Sequence, residues 1–345
     1  MQENIMKVGL CGMTPEEIME VVSDTSFTFQ HALRVANSIY KKRMTDIREI
    51  PEVPKILKEL LASTCFTGIS PPSNEERSTD GSVKYIFVNC DGLYYESVFI
   101  PDARRNTICV STQSGCRMGC PFCATGRYGF HGNLSVRDII NQVIGIPEAD
   151  KINHVVFMGM GEPMDNLENV LKACKILTAE WGVSIAVRNV TVSTVGIEPA
   201  VGEFLEKSSC NLTLSLYSAL PEERAAIIPS ENKFPFREII DLMKKHDSEK
   251  RRRMTIAYVM VKDVNDSGRN LDELKKLISG SRIRVNLIPY HRLPGGTLES
   301  SPIDKMLFFK HELVSTGISA SIRISRGEDV SAACGLLASG LNKTG

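Results

Sequence analysis

The apolar positions fall into two patterns along the chain. From residue 14 to 65 they recur at helical spacing. TPEEIMEVV starts with a Thr at a cap position and places acids in its first turn. FQHALRVANSIYKK spaces Phe29, Leu33, Val35, Ala36 and Ile39 near a helical period, and PEVPKILKELL predicts a third helix. SPPSNEERSTDGS, residues 70 to 82, is polar, contains Pro and Gly, and predicts a linker. VKYIFVN and LYYESVFI flank a Cys-Asp-Gly turn and predict a β-hairpin.

From about residue 107 strand-like and helix-like runs alternate. The strand-like runs are TICVST, HVVFMGM, RNVTVST, NLTLSLY, RMTIAYVMV, RIRVNLIPY and SIRIS. Helical patterns occupy 135–145, 166–180, 198–207, 236–247, 267–279 and 303–316. This alternation predicts an α/β fold with a parallel sheet and crossover helices, open or curled toward a barrel. In such folds the chemistry gathers at the C-terminal ends of the strands.

With 345 residues, 42% of them hydrophobic, the chain has material for one large domain and a smaller one. It has no run of eighteen apolar residues, so no membrane span is expected. MQENIMKVGLCGMTPEE lacks the basic and apolar regions of a secretory signal, which makes the cytoplasm the expected location. In that reducing compartment the ten cysteines are not a disulfide framework. Lys plus Arg equals Asp plus Glu, 41 each, so the net charge neither favours nor excludes nucleic acid. Residues 102 to 138 carry Arg104, Arg105, Arg117, Arg127 and Arg137 against Asp102 and Asp138, a local excess that suits a solvated surface or a phosphate-facing one. KRRR at 250–253 reads as a solvated helix end.

Three cysteines crowd GCRMGCPFCATGRYGF, residues 115 to 130, a stretch with no helical or strand period. Structural zinc takes four ligands, often as paired knuckles, and the chain has no second CxxC. The nearest further ligand type, His131, lies eight residues on. Three thiolates on a Gly-rich loop instead suit a [4Fe–4S] cluster with one iron left open for a small molecule.

Cys116-x-x-x-Cys120-x-x-Cys123, with Phe122 before the last cysteine and TICVST ahead, resembles the signature of radical S-adenosylmethionine (SAM) enzymes. The wider stretch CVSTQSGCRMGCPFCATGRYGF resembles the RlmN/Cfr group of radical SAM RNA methyltransferases. ESVFIP, MGMGEPMDN, VSTVGI, VNLIPY and SRGEDVSAACG agree in order, and FQHALRVANSIYKKRMTDIREIPEVPKIL resembles that group's N-terminal accessory domain. The resemblance implies a partial (β/α)6 TIM-like radical SAM barrel. It divides the chain into a helical accessory domain (1–70), a linker and hairpin (71–101) and the core (102–345) with a C-terminal carrier segment.

The resemblance also implies residue roles. Cys116, Cys120 and Cys123 ligate the cluster. Gly161, Glu162, Ser193, Ser215, Leu216, Tyr217 and His291 bind SAM, with Gly161 and Glu162 offering backbone groups to its amino end. Cys334 carries a methyl group, a methylene radical on it adds to an adenine carbon, and Cys109 resolves the adduct through a transient disulfide. Glu96 takes the ring proton, a task that partial burial would favour. Without the resemblance, Cys334 and Cys109 read as buried small residues and Glu96 as a wet strand position. The implied substrate is an adenosine of 23S rRNA, methylated at C2, with tRNA as a further substrate; C8 methylation is the alternative product, and a non-catalytic RNA- or zinc-binding relative the alternative class. The implied electron donor is a flavodoxin or ferredoxin. The family usually has His at 217, Asn at 291 and Gln at 336, where this chain has Tyr217, His291 and Leu336. Cys11, Cys65, Cys90, Cys174 and Cys210 match no functional position.

Overall fold

The computed structural model describes residues 7–22, 26–247 and 252–338. Ten strands build one sheet in sequential order: β1 (Asn74–Arg77), β2 (Val83–Val88), β3 (Tyr94–Ile100), β4 (Thr107–Cys109), β5 (His154–Phe157), β6 (Val190–Thr194), β7 (Asn211–Ser215), β8 (Met254–Met260), β9 (Arg284–Pro289) and β10 (Ala320–Ile322). β1 to β4 are antiparallel neighbours. From β4 to β10 every pair is parallel. A helical crossover follows each strand from β4 to β9, so six β/α units are followed by one further edge strand, β10.

The helices are α1 (Pro15–Val21), α2 (Phe29–Tyr40), α3 (Lys55–Thr64), α4 (Ala124–Tyr128), α5 (Val136–Ile144), α6 (Leu167–Thr178), α7 (Ala200–Lys207), α8 (Pro221–Ile227), α9 (Phe236–Asp247), α10 (Gly268–Ile278) and α11 (Ile303–Ser315). Reciprocal capping boxes start several of them: Thr14 with Glu17 at α1, Ser135 with Asp138 at α5, and Ser267 with Asn270 at α10. Each satisfies backbone N–H groups that the first turn leaves open.

The parallel strands alternate rather than running apolar throughout. Val190, Val192, Leu212, Leu214, Ile256 and Leu287 are fully buried in the apolar core. Their neighbours Thr191, Ser193, Asn211, Thr213, Ser215 and Thr255 line one cavity of about 730 Å³. A sheet whose one face encloses a single cavity must be curled, and the polar face is what keeps that cavity from collapsing. The buried apolar set continues from Leu10 to Ala338 and ties the helical segment to the barrel. Among the described residues no helix is long and apolar enough to cross a membrane.

Several sequence expectations change. NEER, inside the expected linker, is the edge strand β1; all four residues are exposed, so no alternation marks it. The cysteine stretch holds α4 and abuts a hairpin of Gln113–Gly115 with Phe130–Asn133, both too short to show a period. α8 lay unrecognised in PEERAAI. Phe29 is exposed, because the buried stripe of α2 is Ala32, Val35, Ala36, Ile39 and Tyr40. Arg252 is buried, its guanidinium donating to the carbonyls of Leu205 and Ser208, so it is no solvated helix end; residues 250 and 251 lie outside the described residues.

Candidate active site

The cavity collects side chains from far apart in the chain. Cys116, Cys120 and Cys123 line it, with Cys109 and Cys334. Gly115, at φ +75°, turns the chain into the loop; a Cβ there would stand 1.6 Å from the Gly129 carbonyl, so only glycine fits. The Cys116 N–H donates to that same carbonyl at 2.9 Å. Arg117 clasps the loop from outside, 2.7 Å from Asp165 and stacked 3.9 Å over Phe130. Burial pushes the Cys116 thiol up to about 12 and raises Cys120 and Cys123 as well. Iron binding there has to displace protons, as metals do at thiols.

Among the described residues no three His, Cys, Asp or Glu side chains converge on a single-ion position. A lone zinc needs such convergence, whereas a cubane takes each thiolate on a different iron. Three thiols on one loop, Cys120 buried and Cys116 and Cys123 half-buried, are a donor set of the kind a [4Fe–4S] cluster takes.

The wall beside the loop supplies polar groups. Gly161, at φ +97°, sits where a Cβ would come 2.5 Å from the Gln113 side chain. Gln113 Oε1 accepts the Glu162 N–H at 2.9 Å, so that backbone donor is committed within the protein. What Glu162 brings to the cavity is its carboxyl, 3% exposed, accepting from the Met164 N–H at 3.0 Å and the Val195 N–H at 2.9 Å. Burial raises it to about 7. The Ser193 and Ser215 hydroxyls lie 3.3 Å apart on adjacent strands and both line the cavity. Leu216 is fully buried in the apolar core, and its backbone bonds to Ala257 and Arg224; it does not line the cavity.

Tyr217 does line it. It adopts φ +68°, held by Asn265 Nδ2, which donates to its carbonyl at 2.6 Å. Its ring packs on Phe122 with centroids 4.6 Å apart, and its buried hydroxyl has no hydrogen-bond partner among the described residues. A buried hydroxyl left without a protein partner is free to bond a polar group of a ligand. His291 contacts Ser325 Oγ at 3.2 Å and lies 3.5 Å from Glu328; burial lowers its pKa. These donors suit the ribose, carboxylate and amine of SAM, the polar groups of that molecule.

Residues 325–338 form a strap without helix or strand across the cavity. The Ala124 N–H donates to the Gly335 carbonyl at 2.8 Å and Thr125 Oγ1 to the Leu337 carbonyl at 3.1 Å. Leu336 packs with Ala124, Leu293 and Ala333, an apolar patch that a Gln would disrupt. The strap brings Cys334 within electrostatic range of Cys109 and Cys123. Burial pushes the Cys109 thiol up to about 12, and both cysteines are free thiols. Glu96 is 2% exposed but does not line the cavity. Tyr94 Oη donates to one of its oxygens and the Ala338 N–H to the other at 3.0 Å.

Sequence reasoning missed three groups. Arg224 is fully buried, pairs with Glu231 and bonds the carbonyls of Val195, Ser215 and Leu216, fixing the ends of β6 and β7. Gln113 bridges Glu162, Asn133 and Asp165. Arg323 reaches Met158 Sδ at 3.3 Å and faces Cys109 and Cys334. Only Gln113, inside the quoted cysteine motif, left a signal.

Known proteins resemble this arrangement throughout. The Radical SAM superfamily profile matches residues 110–274. A probable dual-specificity RNA methyltransferase RlmN of Parabacteroides distasonis is 42% identical over 335 residues, covering 97% of this chain and 98% of the relative. The dual-specificity RNA methyltransferase RlmN of Desulfotalea psychrophila is 34% identical, covering 98% of each. The crystal structure of a radical SAM methyltransferase from Sphaerobacter thermophilus superposes with a TM-score of 0.89 at 32% identity, over 96% of this chain and 99% of that one. With the three-cysteine loop, the polar-lined partial barrel and this likeness along nearly its whole length, the chain belongs to the RlmN-type dual-specificity radical SAM RNA methyltransferases.

Proposed function

We propose that the protein methylates C2 of an adenosine in 23S rRNA, and of a tRNA adenosine, in the cytoplasm. Cys116, Cys120 and Cys123 hold the cluster; Glu162, Ser193, Ser215, Tyr217 and His291 hold SAM, with Gly161 admitting close backbone approach. When bound, cluster and SAM supply a 5′-deoxyadenosyl radical, the electron coming from a flavodoxin- or ferredoxin-type donor. The observation that carries the reading is that Cys109 and Cys334 line the same cavity as the three-cysteine loop.

C2 of adenine is an electron-poor carbon that does not attack a methyl group as an amine would. A carbon radical adds to it. Cys334 therefore acts as a carrier: its sulfur accepts a methyl group, and that carbon, once a hydrogen is removed, bonds the ring. Glu96 takes the ring proton, and the one electron that the ring adduct must also give up would go to the cluster when it is bound. Since Tyr94 and Ala338 close over Glu96, the end of the strap has to lift before that carboxylate meets the base. Cys109 then attacks the Cys334 sulfur: the S–S bond forms as the C–S bond to the methylene breaks, that carbon takes a proton and leaves as the methyl of the base, and the reductant supplied to the enzyme reopens the disulfide.

Nucleoside mass spectrometry tests this. Cluster-loaded protein is incubated anaerobically with unmodified ribosomal RNA or tRNA, reductant and methyl-deuterated SAM. Labelled 2-methyladenosine is the expected product. Labelled 8-methyladenosine would move the target to C8, and SAM cleavage without any labelled adenosine would sink the RNA assignment.

A further inference from the structure

The cavity has two ends. At the C-terminal ends of the strands it is stoppered by the cysteine loop, the Phe122–Tyr217 ring pair and the strap. At the N-terminal ends it is lined by Arg105 before β4, Arg253 before β8 and Arg284 at the start of β9. β4 and β8 are separated by three intervening strands, yet Arg105 feels the charges of Arg253 and Arg323. The curl of the sheet thus sets Arg105 and Arg253 across the mouth from each other, with Arg284 on β9 beside Thr255 of β8. None of the three guanidinium groups has a hydrogen bond or ion pair among the described residues. Asp102 is the single acid lining that end, and it accepts the Arg104 N–H at 3.4 Å. His154, beside them, is held toward its neutral form by burial and by Arg105 and Arg253.

Arg105 and Arg253 repel from facing elements and Arg284 adds a third cation to the same mouth, in a chain whose total charge is zero. Such a ring is favourable when an anion enters it, and guanidinium forks match phosphate oxygens. β4 is three residues long, so the ring and the Cys109 thiol lie roughly 10 Å apart along the strand. That is within reach of a nucleotide turned out of its stack.

We infer that this N-terminal mouth of the barrel is where RNA docks, with Arg105, Arg253 and Arg284 gripping backbone phosphates beside the target nucleotide while its base enters toward Cys109 and Cys334. The inference rests on the RNA-methyltransferase reading for its ligand. It adds the end of the barrel from which RNA approaches and the residues that hold it.

The test compares the holoenzyme with Arg105→Gln/Arg253→Gln/Arg284→Gln. Binding of a fluorescent RNA stem–loop is followed by anisotropy over a range of NaCl concentrations. At moderate salt the triple variant is expected to bind at least about tenfold more weakly, and its log K against log salt slope to shrink by about 2 to 3. Cluster absorbance and SAM affinity are expected to stay at wild-type values. Equal RNA affinity and an equal salt slope would overturn the inference. Tripolyphosphate that displaces the RNA at equal phosphate concentration would assign the mouth to a free phosphate compound and overturn the RNA assignment. Should the triple variant lose SAM binding, Arg253→Gln and Arg284→Gln singly are each expected to lower the slope by about 1, and an unchanged slope in both overturns the inference. If wild type methylates no RNA while the slope still depends on these arginines, the proposed reaction fails and the mouth stands.

Discussion

The cysteine loop and the C-terminal strap meet at one cavity but are held in different ways. The loop springs from a paired hairpin, turns at a glycine no other residue replaces, and is clasped by Arg117. The strap has no helix or strand; side-chain bonds hold its start, and its end packs through Ala332, Leu336, Leu337 and Ala338. Asp80 accepts the Gly327 N–H at 2.7 Å, Asp329 accepts from Ser78 and Thr79, and Lys84 donates to the Val330 carbonyl. At its far end it is tied to Ala124, Thr125 and Glu96. Under the proposed mechanism the loop has to keep a cluster still, whereas Cys334, collecting a methyl group, delivering it and then being resolved, has to move. Segments that move come from the low-stability end of a fold.

The sharpest way to separate the two regions is Cys334→Ala. Methyl transfer to RNA is expected to fall by roughly a thousandfold or more, with SAM cleavage retained, since only the carrier is lost. A variant that methylates at the wild-type rate would remove the strap from the chemistry.

Wall and strap differ next in stability. Leu214→Ala, in the fully buried face of β7, is expected to cost about 2–5 kcal/mol in urea unfolding. A loss under about 1 kcal/mol would mean the wall is less tightly packed than its burial indicates.

Glu162 gives the wall a pH signature in the apoprotein. Burial holds its folded-state pKa near 7, above the ordinary carboxyl value. Below the ordinary value both states are protonated. As pH rises toward 7 the unfolded chain ionises first, so stability falls through that window by up to roughly 3 kcal/mol and then levels. Glu162→Gln should flatten the fall between pH 5 and 8; an unchanged profile would assign it to other groups.

The smallest effect is expected at Asp329→Asn. This exposed anchor should leave Tm within about 2 °C. Methylation is expected to slow a few-fold and the strap to be cleaved sooner in limited proteolysis. Wild-type rate and wild-type cleavage would show that the anchor does not hold the strap.

The alternation of strands and helices from residue 107 was legible because each element buries a face, and that leaves a period in its own residues. The edge strand NEER and the helix Ala124–Tyr128 were not legible, since an exposed edge and a single turn carry no period. Among the site residues, Cys116, Cys120 and Cys123 stand within eight positions and announced themselves. Glu96 reads as a wet strand position yet is closed over by Tyr94 and Ala338, partners 2 and 242 residues away. Leu216 sits in a matching motif but points into the core.

The sequence alone determined the β/α order, the three-cysteine loop and the likeness to one family, because local periodicity and short motifs are written in neighbouring residues. The tertiary structure decided that Cys109 and Cys334 line one cavity, that Glu162 is buried with its backbone N–H already used, and that Arg105, Arg253 and Arg284 gather at one mouth. Those meetings depend on the curl of the sheet and on where the strap lands, and both are set by contacts between residues far apart in the chain.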